Sequence, residues 1–393
     1  MVFYAVLMII ILIYGTICKR IKRIGNKEIN RGNKIFKISI FFILWILLAF
    51  KGNFIGSDTP SYIRVFNSQI QWENNAGSLI VNLFENNTRY ETGYIIFNRL
   101  VSICTNNCQW IFIIIASFFV ITCYKFIDKY SENVVLSVFL LVSLRFYYLF
   151  FSGLRQAIAM MICIIAFKYI KKRNIIKFIL MVLLAMQFHT SAIIFILMYP
   201  LSHFRFNTKG IVVITAIMII VLLCFNIVLS NVLNILPDYY EHYTTSVRFD
   251  AGNLGNILMS IIILLVIVMS FFSGYNCVHK GNKDLYIKEY DENSMLSYMM
   301  LFSFWIAVIS LKATTLERLY WYTWIFSIIY IPNVINTMTI KSTKKFFTVT
   351  IIVLSFIYNI CLLKYRPEWN CITPYSFFWQ EESYIDHYTY IRK

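Results

Sequence analysis

Charge is scarce in this chain, and acidic charge scarcest. Of 393 residues only 14% are charged, with 19 Asp and Glu against 36 Lys and Arg, while 59% are hydrophobic. A mean hydropathy of +0.66 at that composition excludes a soluble globular domain. The nine cysteines lack metal-site spacing: Cys104 and Cys108 are the nearest pair, and neither has a His or Cys partner where zinc would need one. Most of them therefore read as inert packing residues. The apolar run 2–18 has no basic leader and no small-residue cleavage site, so it reads as a retained first span. Internal repeats, low-complexity tracts and a separable soluble domain are also missing, which leaves residues 1–393 as one transmembrane domain.

What is present is a series of apolar runs near the roughly 20 residues that a helix needs to cross hydrocarbon. A net charge of +17 would suggest nucleic acid in a soluble protein. Here the basic residues sit in short loops between apolar runs, where they determine topology, and no nucleic-acid partner is expected. Residues 19–37 hold eight basic residues and one acidic one, Glu28, so that loop is expected inside and the N-terminus outside. The predicted spans are 2–18, 38–51, 109–127, 134–150, 153–170, 211–235, 256–273, 295–311, 319–337 and 346–363. The 30-residue block 174–203 is too short for two comfortable spans, and His189-Thr190-Ser191 in its middle predicts a tight hairpin or broken helix. Residues 92–105, interrupted by Asn98 and Arg99, are too short to span and predict a re-entrant or interfacial segment. The sum is an all-α polytopic membrane protein with about eleven crossings and one partial segment. Its larger outer loops are 52–91 and 237–255, and its tail, 364–393, is also outside. Inner loops then carry 23 Lys and Arg and outer ones ten.

Two arginines stand out in the stretch 145–173, because arginine in an apolar run costs roughly 2.5–3.5 kcal/mol on insertion scales and marks a candidate site. The topology places Asp58, Arg64, Glu91, Arg145, Arg155, His189, Arg248, Glu317 and Arg318 on one side, in the outer half of the membrane or beyond it. Arginine presents a planar fork of donors suited to phosphate oxygens, so an outward cavity with several of them suits a lipid-linked pyrophosphate. His189 and the carboxylates are candidates for a base acting on an incoming hydroxyl. Trp72, Tyr239, Tyr240, Tyr243, Trp321 and Trp369 suit sugar stacking or an interfacial aromatic belt. Blander readings stand beside these. Arg145 can snorkel to the interface, His189 can be a satisfied buried histidine, Asp58 a turn residue, and Glu317-Arg318 a local ion pair at a helix start.

Five stretches carry a family likeness: GSDTPSYIRVF (56–66), YETGYIIFNRL (90–100), FSGLRQAIAM (151–160), FHTSAIIF (188–195) and LERLYWY (316–322). In their order and spacing the chain resembles the EpsG-type branch of the Wzy-like polysaccharide polymerases of bacterial inner membranes. The resemblance implies a GT-C-like, metal-independent membrane glycosyltransferase without cofactor. Its substrates would be oligosaccharide repeat units on undecaprenyl pyrophosphate, joined at the outer face into O-antigen, capsule or exopolysaccharide. A chain-length regulator is an implied further partner. By that likeness Arg155, Arg318 and Arg145 are placed on the pyrophosphate, and Asp58, Glu91 and His189 are the catalytic candidates, with the base among them left open. Arg64, Arg248 and Tyr62 are placed on sugar. The outer loops hold no DxD-like acidic pair, which agrees with a metal-free reaction. A flippase of lipid-linked sugars would place its arginines near the midplane in pseudo-symmetric halves, and no such symmetry is visible. A membrane acyltransferase would want its histidine reached from the cytoplasm. A ligase that transfers finished chains shares the same features.

Overall fold

The computed structural model describes residues 1–20, 29–73, 90–227, 254–276 and 283–380. Arg248 and most of the loop 237–255 lie outside them, as do residues 74–89 of the first loop and 381–393 of the tail. The described chain is helical, and the extended pairing within it is a single antiparallel bridge between Lys51 and Phe377. In lipid a helix satisfies its own backbone groups, which is why apolar runs adopt it there.

The chain divides into two compact units. The first comprises Met1–Ile165, Leu183–Thr190 and Ile340–Lys393. Its helices are α1 (Val2–Arg20), α2 (Ile29–Ala49), α3 (Thr59–Glu73), α4 (Thr92–Cys104), α5 (Gln109–Tyr130), α6 (Val134–Ser143), α7 (Phe146–Ser152) and the first part of α8 (Leu154–Lys171). The end of α9 (Ile175–Met186) and, later in the chain, Lys341–Tyr365 also belong to it. The second unit comprises Ala166–Val182 and Ser191–Thr339. It holds α10 (Met198–Leu201), α11 (Thr208–Leu223), α12 (Leu254–Phe272), α13 (Lys283–Ile309), α14 (Glu317–Trp324) and α15 (Ser327–Thr337). The helix Lys341–Tyr365 is α16.

Among the described residues, α1, α2, α5, α12, α13 and α16 are long and apolar enough to cross a membrane, and the bent pair α6–α7 makes a seventh if counted once. The other expected crossings fall on shorter or interrupted helices. Helix α8 is long enough but carries Arg155, Lys168 and Lys171. The expected span 319–337 is divided between α14 and α15. The expected partial segment at 92–105 is the 13-residue α4, and the expected break at 189–191 separates α9 from a 3-10 helix, Thr190–Leu197. Much of α16 and α12 is apolar and exposed, including Leu354, Ile357, Leu264 and Leu265, as a lipid-facing surface must be. By contrast residues 135–143 of α6 are all buried, and so is most of the first half of α8.

The continuous span expected at 134–150 is corrected by the structure. It bends by 45° between α6 and α7, where Arg145 adopts a left-handed backbone with φ 70°, at a cost of roughly 1–2 kcal/mol for a residue with a Cβ. A break frees carbonyls, and hydrocarbon offers them no water. Asn359 of α16, fully buried, answers them: its Nδ2 donates to the Val142 and Ser143 carbonyls at 3.2 Å each. Its Oδ1 accepts from the Tyr148 hydroxyl at 3.0 Å.

Asn359→Leu keeps the volume but leaves those carbonyls and the Tyr148 hydroxyl unpaired, so it should destabilise the protein by about 1–3 kcal/mol. The measurement is the melting midpoint of the detergent-solubilised variant; a midpoint equal to the wild type's would show that the break is held by something else.

Candidate functional site

Glu91 is the residue immediately before α4. Its backbone is extended, and its side chain does not cap its own helix, so the carboxylate is available to other segments. Oε2 pairs with Arg155 Nη1 at the start of α8. Oε1 meets His189 Nδ1 at 3.1 Å and the Thr190 backbone N–H at 3.4 Å. The side chains of Glu91 and His189 are each 14% exposed and that of Arg155 22% exposed, so the cluster is sheltered and still reachable. Burial alone would raise the Glu91 carboxyl, but the His189 hydrogen bond and the Arg155 charge outweigh it and hold it below the ordinary carboxylate value. Glu91 is therefore ionised and can only accept. The Nδ1 of His189 must carry the proton it shares with Glu91, which leaves Nε2 as an acceptor when the ring is neutral.

Two tyrosines complete the setting of Arg155. The ring of Tyr90 lies against the guanidinium, 4.7 Å from Cζ, and the hydroxyl of Tyr62 lies beside it from α3. Burial and then the nearby Asp58 charge push the Tyr62 phenol above its ordinary value, while Arg155 pulls the other way. Arg155 Nε is buried without a hydrogen-bond partner, so the protein leaves part of the guanidinium fork unused.

The sequence motifs acquire local reasons here. Within YETGYIIFNRL, Gly93 lets the chain approach Gln187 so closely that a Cβ would stand 2.6 Å from the Gln187 Cβ. Tyr94 N–H then bonds the Gln187 carbonyl at 3.2 Å, and that contact sets His189 beside Glu91. Within GSDTP, Gly56 has φ 98°, and a Cβ there would strike the Phe151 carbonyl. Thr59 and Lys51 hold that same carbonyl: Lys51 Nζ, fully buried, donates to it at 2.6 Å and to Thr59 Oγ1 at 2.8 Å. Burial drives the Lys51 ammonium well below its usual value, with Asp58 opposing. Lys51 closes the span expected at 38–51 and is here a partner of the end of α7.

Of the residues singled out from sequence, Glu91, Arg155, His189 and Tyr62 come together in the first unit. Asp58 is exposed on the turn before α3 and lies close enough to bias Tyr62 and Lys51. Arg64 is exposed one turn further along and donates to Ser61 Oγ at 3.0 Å. Arg145 is 9% exposed, so it does not snorkel into solvent, and its guanidinium stacks on Trp369. Arg318 belongs to the second unit, at the second residue of α14. In that unit Tyr322 of the LERLYWY motif shares a 3.1 Å hydrogen bond with Ser191. Tyr90 and Lys51 were not singled out from the sequence; Tyr90 is the first residue of the matching stretch YETGYIIFNRL, the one signal for it. Among the described residues no three His, Cys, Asp or Glu side chains converge as a metal site would require.

Comparison with known proteins places these residues in context. No curated protein and no solved structure matches the chain. A family model does, and its match covers residues 34–377, a range that contains the whole Glu91 cluster along with Lys51, Asp58 and Arg145. The chain belongs to the EpsG family.

Proposed function

We propose that this protein is a membrane glycosyltransferase that polymerises oligosaccharide repeat units carried on undecaprenyl pyrophosphate, forming O-antigen, capsule or exopolysaccharide. The observation that carries this reading is the single carboxylate of Glu91, bound at once to Arg155 and to His189. It supplies an anion-binding arginine and an oriented histidine within one cluster, which are the two things a transfer from a glycosyl pyrophosphate needs. Family membership supports the polymerase class, and the polytopic membrane architecture supports a lipid-linked substrate.

The chemistry follows from the donor being activated already. The acceptor hydroxyl oxygen attacks the anomeric carbon of the donor, and its proton passes to His189 Nε2. The bond between that carbon and the pyrophosphate oxygen breaks, and the electron pair leaves with the lipid pyrophosphate. Arg155 stabilises the departing charge through the donors that Glu91 does not use, so positioning and fixed positive charge supply the catalysis without a metal. Glu91 is a positioning residue that holds the His189 tautomer and sets the guanidinium. Tyr62 and Arg64 are the sugar-binding candidates, as is Arg248 outside the described residues; Asp58 orients the acceptor, and Arg318 is a further phosphate ligand.

The same reading orients the protein in a bacterial inner membrane with this cluster toward the exterior or periplasm, because the basic loops then lie inside. A GT-C-like architecture of eleven crossings follows if α6–α7, α9 with Thr190–Leu201, and α14–α15 each count once beside α8 and α11, with α4 as the partial segment. A chain-length regulator is a proposed partner.

Arg155→Ala should reach the membrane, lose pyrophosphate binding at the Glu91 cluster and leave single repeat units on the lipid carrier. His189→Gln should keep that binding while elongation falls on the order of a hundredfold. Electrophoresis of surface polysaccharide, with a pyrophosphate-binding assay on purified protein, reads both; normal long chains in the Arg155→Ala strain would remove the site assignment. For orientation, Asp58→Cys on a cysteine-free background should react with an impermeant thiol reagent in intact cells. Reaction only after lysis would invert the topology.

A further inference from the structure

Arg145 is an expensive residue. It sits nine-tenths buried, in a left-handed backbone conformation, with Nε unpartnered, and no carboxylate pairs with it among the described residues. Its cation is instead laid on Trp369, with Cζ 5.1 Å from the ring centroid. A second arginine, Arg366, converges on the same ring at 5.8 Å. Both cations depend on this one ring, whose quadrupole offsets only about 0.5–2 kcal/mol per cation. Among the described residues the carboxylate bonded to either is Glu368, at 3.5 Å from Arg366, an exposed pair of small worth. Strain and uncompensated buried charge of this kind persist where a site uses them.

The segment carrying Trp369 is fixed in place. The Cys371 carbonyl accepts from Gly56 N–H at 2.8 Å, the Ser376 carbonyl from Gly52 N–H at 2.9 Å, and the Tyr375 hydroxyl donates to the Leu47 carbonyl at 2.9 Å. Trp369 is 39% exposed, so the ring and Arg366 remain accessible.

We infer that Arg145, Arg366 and Trp369 form a second phosphate-binding site, with neighbours different from those of Arg155, that holds the pyrophosphate of the second lipid-linked substrate. This rests on the polymerase reading above. Transfer between two lipid carriers requires both to be held at once, and only one of them loses its pyrophosphate. The Arg155 site has a histidine beside it, as the reacting centre must. The Arg145 site has two cations and an aromatic ring but no histidine among the described residues, which suits a substrate whose phosphates are bound and not expelled. The fork of Arg145 and the exposed charge of Arg366 would take the phosphate oxygens, and Trp369 the first sugar ring.

The test is titration of the purified full-length protein in detergent with a short-chain prenyl pyrophosphate. The wild type should bind two equivalents. Arg155→Ala should bind one, and Arg366→Ala or Trp369→Leu should also lose one, with that affinity falling about tenfold or more. Arg366 and Trp369 are surface residues, so these variants fold. Two equivalents undiminished in both would overturn the proposal, as would displacement of the second equivalent by phosphatidylglycerol at equal concentration, which would make the site a bulk-lipid contact. If the two sites are found but a strain lacking the protein keeps polysaccharide of full length, the polymerase reading fails while the phosphate site stands.

Discussion

An arginine held among apolar helices is stabilised most by a fixed counter-charge, and much of the first unit is arranged to give Arg155 one. Left alone, such a charge costs several kcal/mol. Its counter-charge, Glu91, comes from 64 positions earlier in the chain, and the histidine on the other oxygen of that carboxylate lies 98 positions after it. One carboxylate thus ties the start of α4, the start of α8 and the break after α9. The short length of α4 and the interruption at His189 are both consequences: each delivers a polar group to the same point, and neither could do so from the middle of a regular span.

The same constraint operates at the other breaks. Where α6 stops, the Val142 and Ser143 carbonyls take Asn359; where α7 stops, the Phe151 carbonyl takes Lys51 and Thr59. Each break is affordable because a buried side chain from elsewhere restores the hydrogen bonds that the helix gave up. Arg145 is the exception, since its break is satisfied while its own charge is not. That contrast distinguishes a residue serving the fold from one that the fold holds ready for an anion.

Much of this was visible in the sequence because deviations from apolar character are costly in a membrane and therefore stand out. Arg155 inside a span, Glu91 before an abbreviated segment and His189 in an overlong block all announced themselves, and they prove to be one cluster. Two classes of feature stayed hidden. The bend at Arg145 has no proline or glycine at the break, so the arginine marked a candidate site there but not a helix end. Asn359, Lys51 and the returning tail act on partners from 100 to 328 positions away, a relation that span lengths and loop charges do not encode. Arg64 illustrates the converse, since a charge in a matching motif turned out to be exposed and bonded to its own helix.

Whether this chain itself lengthens lipid-linked glycans is tested most directly by reconstituting the purified protein in liposomes with a single defined lipid-linked repeat unit and separating the glycans by length. A ladder of multiples of the repeat unit is expected, with one free lipid pyrophosphate released for each bond made. Repeat units that remain single, or that change leaflet without growing, would contradict the polymerase reading.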